Sequence, residues 1–125
     1  MAVKKEKVSN EKKNLNRLAG EFLVASRLTH RGYMVTLQWG NTISYDILAF
    51  DKQGKVAFIE VKSTASNPRR WVLQSKYASP EIDTIPVERR FVCCVDLSDT
   101  SREPLIHVFP ASIVARGLRG AMHAP

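Results

Sequence analysis

Cysteine is nearly absent, and the two that occur, Cys93 and Cys94, are adjacent. Neighbouring strand residues face opposite ways, so a framework disulfide is excluded, and no CxxC or Cys/His spacing offers a zinc site. Both read as small buried hydrophobes in a reducing compartment. His30, His107 and His123 share no face and are assigned no chemistry. No apolar run approaches the length of a membrane span, and the opening MAVKKEKVSNEKK lacks the apolar segment of a signal peptide, so a cytoplasmic protein is expected. Repeats and low-complexity tracts are missing as well, which leaves a single compact unit. Acidic residues are in deficit, 12 against 19 Lys and Arg, for a net charge of +7. That excess predicts a polyanionic partner, nucleic acid first and an anionic membrane second.

What is present suits an ordinary globular domain. A chain of 125 residues, 44% hydrophobic and 25% charged, buries one core and is too short for two. Residues 1–9 carry Lys4, Lys5 and Lys7 and read as a basic arm. Ser9 or Asn10 caps a helix that runs to about His30 or Arg31, with Gly32 as its C-terminal glycine. Leu15, Leu18, Ala19, Phe22, Ala25 and Thr29 fall on one side of it, with Glu21 on the flank of that stripe. Tyr33 to Trp39 alternates as a strand, and Gly40-Asn41-Thr42 turns the chain. Asn41 fits a turn or a phosphate contact, turn chemistry being the commoner use.

Beyond residue 64, TASNPRR makes a polar loop with adjacent Arg69 and Arg70. Trp71, beside Val72 and Leu73, reads as core packing rather than a platform for stacked bases. Pro80 and Pro86 bracket a loop or a short helix. Arg90 to Leu97 is a fourth strand, apolar on both faces, and Leu105 to Phe109 a fifth. Pro110 then starts a final helix from Ala111 to about Leu118. The domain thus spans 10–118, followed by a fraying tail, 119–125. The order implies an α/β fold, a mixed central sheet of about five strands with helices on both faces.

The densest signal is Ile43 to Thr64, where two apolar runs flank Asp51-Lys52-Gln53-Gly54. If Lys52 to Gly54 form a three-residue hairpin loop with Gly54 left-handed, Asp51 pairs with Lys55. Counting back then sets Asp46 opposite Glu60. Two carboxylates facing each other across a ladder repel, and a divalent cation between them reverses the sign. Alternation puts Asp46, Leu48, Phe50, Val56, Phe58, Glu60 and Lys62 on one face. The opposite face, with Ile47, Ala49, Ala57, Ile59 and Val61, is wholly apolar, so the hairpin is expected to be central and covered on both sides.

Asp46, thirteen residues, then Glu60-Val61-Lys62 resembles the signature of the PD-(D/E)XK nuclease superfamily. The upstream GEFLVASRL at 20–28 and RGYMV at 31–35 are similar to the first helix and strand of its Holliday-junction-resolvase-like members. Tyr45 stands where the signature has proline. The resemblance implies a restriction-endonuclease-like three-layer sandwich and Mg²⁺-dependent hydrolysis of DNA, with Mn²⁺ as a substitute, leaving a 5′-phosphate.

It also assigns roles. Asp46, Glu60 and the backbone carbonyl of Val61 would hold the metal, and Lys62 would act on the attacking water or the transition state. Glu21 would contribute through a water or a second metal, and Gln74 or Lys76 would return toward the site. Lys4, Lys5, Lys12, Lys13, Arg17, Arg69, Arg70, Arg89 and Arg90 are candidates for phosphate contacts that give affinity without sequence. Cutting both strands with one small site calls for a homodimer. The rival readings are a non-catalytic nucleic-acid-binding module and an accessory subunit of a repair, recombination or defence system.

Overall fold

The computed structural model describes residues 9–38, 45–66, 71 and 85–114. The basic arm, the Gly40-Asn41-Thr42 turn, most of the stretch between residues 66 and 85, and the tail lie outside the described residues.

Helix α1 runs Asn10–His30, and Ser9 starts it by accepting the Lys12 N–H, a cap worth about 1 kcal/mol. Its C-terminus closes on Gly32, whose φ of 98° only glycine adopts cheaply. There the Gly32 N–H reaches Thr29 O at 3.0 Å and the Tyr33 N–H reaches Leu28 O at 3.1 Å, which satisfies two carbonyls of the last turn.

Five strands follow: β1 (Met34–Leu37), β2 (Ile47–Phe50), β3 (Val56–Thr64), β4 (Arg90–Asp96) and β5 (Leu105–Pro110). They form one sheet in sequential order, antiparallel except for the parallel β3–β4 pair. A short 3₁₀ turn at Val87–Arg89 leads into β4, and residues 111–114 are helical directly after Pro110, which itself ends β5. This is the α/β architecture with a five-stranded mixed sheet that the element order implied.

The hairpin loop is built as counted. Gly54 has φ 80°, its N–H meets Asp51 O at 3.1 Å, and the Asp51 N–H meets Lys55 O at 3.0 Å. Asp51 Oδ1 also accepts the N–H groups of Gln53 and Lys55 at 2.9 and 2.8 Å. The ladder then runs Phe50↔Val56 to Ile47↔Ile59.

Beneath α1, the sheet face contributes Ile47, Ala49, Ile59, Val61, Cys93 and Val95, which cluster with Val24 of the helix. Ile47 and Val95 are completely buried, each such side chain being worth about 1.5–3 kcal/mol. On the other face Val92 and Cys94 pack with Val114 and Trp71. Helix, sheet and this second cover make three layers. The hairpin's own second face is less covered than expected, since Leu48, Phe50 and Phe58 are only half-buried.

The buried face of the helix departs from the expected apolar stripe. Its buried residues are Gly20, Glu21 and Val24, whereas Leu15 and Phe22 are 60% and 49% exposed. The cause is Gly20, which sits so close to β3 that an added Cβ meets Ser63 Oγ, lies 3.2 Å from Ser63 Cβ and 3.5 Å from Val61 Cγ1. Gly20→Ala therefore lowers the melting temperature. Overpacking costs about 1–3 kcal/mol, more than the roughly 1 kcal/mol gained from helix propensity. Adding Ser63→Ala removes the clashing hydroxyl, and a double-mutant cycle by thermal unfolding should show the pair recovering part of the loss.

Candidate functional site

The unequal lengths of β2 and β3 create the site. β2 has four residues and β3 nine, so beyond Ile59 the β2 side of β3 loses its ladder partner. Asp46 fills that opening. Its N–H goes to Ile59 O at 2.8 Å although Ile47 already pairs with Ile59, so two residues face one in a bulge. Asp46 is therefore turned out of the ladder rather than set directly opposite Glu60, and its Oδ2 accepts the Val61 N–H at 2.8 Å. Gln38, just past β1, ties down the Asp46 carbonyl at 2.9 Å.

Glu21 reaches this place from above. Buried to 6% exposure in the closest part of the helix–sheet contact, it is held by Arg17 Nη1 at 3.2 Å from Oε1. Burial pushes its carboxyl above the ordinary value, and the neighbouring Asp46 charge pushes it further, against the lowering by Arg17. Glu60 and Lys62 project from the other side of β3's pleat, with Lys62 Nζ 3.1 Å from Glu60 Oε1 and both side chains largely shielded.

A group with a raised folded pKa contributes stability below its ordinary pKa and loses that contribution as pH climbs through the raised value. Glu21→Gln removes that loss. The variant is expected to melt higher than the wild type near pH 7, with the gap narrowing toward about pH 4, in paired thermal scans across that range. A constant gap would mean that Glu21 does not titrate with folding.

Beside these groups a groove of about 250 Å³ runs between the first half of α1 and the end of β3, lined by Lys13, Asn16, Arg17, Val61, Lys62 and Ser63. Three of the six lining residues are basic, which fits a phosphate backbone. Asn16 and Ser63 were not singled out from sequence, since neither has a charge or a motif to mark it. Lys12 is exposed on the same helix. Arg90 is buried at the start of β4 and is corrected out of the phosphate candidates, because burial denies it to a backbone. Arg89 lines a different hollow, with Asp51 and Lys55, at the hairpin-loop end of the sheet. Asn41, Arg69, Arg70, Gln74 and Lys76 lie outside the described residues.

Trp71 is structural, its indole N–H donating to Val95 O at 3.1 Å and its ring edge-on to His107. Cys93 and Cys94 are free and buried on opposite faces. Burial pushes their thiols up to about 12 and about 11, so neither is a nucleophile at neutral pH.

Glu21, Asp46 and Glu60 make an all-oxygen donor set, the chemistry a hard cation prefers. A carboxylate buried beside a second one is the arrangement that a divalent charge would relieve. As the side chains stand, no three His, Cys, Asp or Glu residues among those described converge on one point, Glu60 being turned to Lys62. Mg²⁺ nonetheless takes only one or two protein carboxylates and keeps several waters, so the residues fit it.

A bacterial homing endonuclease of known structure superposes on 86% of this chain and 69% of its own, with a TM-score of 0.58 and 18% identity. The fold is a nuclease-like α/β sandwich. Residues 22–77 also match the model of the family described as Protein NO VEIN, C-terminal, a span that starts on α1 and includes the whole β2–β3 hairpin. No curated protein matches the sequence at a significant level. No helix among the described residues is long and apolar enough to cross a membrane.

Proposed function

We propose that this protein is a PD-(D/E)XK-type nuclease that hydrolyses DNA phosphodiester bonds with Mg²⁺, or Mn²⁺ in its place. The observation that carries the reading is the burial of Glu21 against Asp46 where β2 leaves β3, beside a basic groove. Buried like charges cost stability, and a site is the usual reason to keep them.

In this reading Asp46 and Glu60 would supply carboxylate oxygens, and Val61 its carbonyl, to the cation. When bound, the ion neutralises the phosphate and acidifies a water. Lys62 would position the attacking water or steady the charge that develops on the phosphate, and Glu21 would act through a water or a second ion. Lys12, Lys13 and Arg17 hold the backbone from the helix side without reading sequence. Breaking both strands of a duplex would take two copies of the chain.

The test is incubation of the purified chain with linear, nicked and four-way-branched DNA, with Mg²⁺, with Mn²⁺ and with chelator. Metal-dependent cleavage with 5′-phosphate ends supports the nuclease. Salt-sensitive retention without cleavage would replace it with a binding module, and neither outcome would point to an accessory subunit.

A further inference from the structure

Arg17 belongs both to the carboxylate pair and to the groove. Its guanidinium is 3.2 Å from Glu21, yet the side chain stays 55% exposed against 8% for Glu21. An i,i+4 pair with the basic residue first is the weaker orientation for supporting a helix, and a half-exposed pair adds little stability in any case. What Arg17 does here is neutralise a buried carboxylate on which a second carboxylate presses. Arg17, Glu21 and Asp46 together carry one net negative charge. A divalent cation would turn that into one net positive charge, and a phosphodiester would cancel it.

We propose that Arg17 is an exchangeable counter-ion that couples cation binding to nucleic-acid binding at this site. Without the cation it holds Glu21. With the cation present, Glu21 no longer needs the guanidinium, which is repelled by the new charge and swings into the groove toward Lys13 and Lys62, where it grips a backbone phosphate. A planar guanidinium suits that second partner because it binds phosphate oxygens in pairs. This rests on the proposed metal-dependent reading of Asp46 and Glu60. By linkage the coupling is reciprocal: the cation tightens DNA, and DNA tightens the cation, by the same factor.

Two binding measurements test it without turnover. Mn²⁺ binding is followed by electron paramagnetic resonance in the absence of DNA, and the affinity for a fluorescein-labelled duplex is followed by anisotropy with and without Ca²⁺ at fixed ionic strength. Wild-type protein is expected to bind the duplex about tenfold more tightly with Ca²⁺, within the usual range of about 5- to 150-fold for coupled sites. Arg17→Met should bind Mn²⁺ at least as tightly as wild type, a competing cation having been removed, while its gain in DNA affinity with Ca²⁺ falls to about twofold. Arg17→Lys, which keeps the charge without the fork, should recover part of the gain.

Weaker Mn²⁺ binding by Arg17→Met would make Arg17 a mere support for the carboxylates and overturn the inference, as would an undiminished Ca²⁺ effect in that variant. Wild type that binds Mn²⁺ without any tightening of DNA by Ca²⁺ overturns the coupling alone. Wild type that binds no Mn²⁺ removes the metal-dependent reading itself.

Discussion

Asp46→Asn is expected to leave the folded protein at least as stable as the wild type while reducing metal-dependent DNA cleavage by about 1,000-fold or more. The amide replaces the carboxylate almost atom for atom and can still accept the Val61 N–H that Asp46 Oδ2 accepts at 2.8 Å. Exchanging a charged acceptor for a neutral one weakens that bond by about 1 kcal/mol. Against this stands the repulsion with Glu21, which Asp46 pushes toward its protonated form. Like charges in close contact in a partly shielded site oppose each other by up to about 4 kcal/mol, which Arg17 reduces. The relief exceeds the loss, so the melting temperature holds or rises. Activity moves the other way because the amide oxygen is a far poorer ligand for a hard cation. Thermal unfolding and single-turnover cleavage on the same preparation check both halves. A melting point several degrees lower would make Asp46 a structural residue, and cleavage within tenfold of wild type would remove it from the chemistry.

The same opposition of stability and function explains which parts of the molecule could be read from sequence. The β2–β3 register was legible because two local devices fix it, the left-handed Gly54 and the Asp51 side chain that holds the loop amides. Alternation then carried the pattern along both strands and set Glu60 and Lys62 on one face. It failed at Asp46, where a bulge breaks the count, since an Asp46 N–H bonded to Ile59 O, the residue that Ile47 already faces, leaves no trace in alternation.

On α1 the apolar stripe led away from the buried face. Leu15 and Phe22 carry hydrophobicity to an exposed side, while the face that meets the sheet holds Gly20, Glu21 and Val24. Hydrophobicity counts a glycine as neutral and a glutamate as surface. Here the glycine draws the helix onto Ser63, and the glutamate is tolerated inside because Arg17 reaches it from one turn earlier. A mixed sheet was expected, but that β3 and β4 form its parallel pair was not legible, because pairing across a long crossover depends on tertiary packing and not on any local period.

Lys62→Ala is expected to reduce cleavage by about 100- to 1,000-fold, the usual result of removing one group that meets developing charge in a transition state. Unlike Asp46→Asn, it should also destabilise the fold. Lys62 Nζ lies 3.1 Å from Glu60 Oε1, with side-chain exposures of 26% and 12%, so truncation takes the ammonium from a largely shielded carboxylate. A loss of about 1–2 kcal/mol follows from removing one partner of such a pair. A drop in activity alone would therefore not separate chemistry from damage to the fold. Lys62→Arg separates them, while the double variant Glu60→Gln, Lys62→Met, which also removes a proposed metal ligand, checks the stability half alone. That double variant removes both charges and keeps the packing of both stems, so its unfolding free energy should return to within about 0.5 kcal/mol of wild type. Lys62→Arg keeps the charge but spreads it over a wider planar group, and it should restore stability without restoring the rate. If Lys62→Arg regained both stability and cleavage, the amine at position 62 would be a partner for Glu60 and nothing more, and the groove would need a different residue to act on the attacking water.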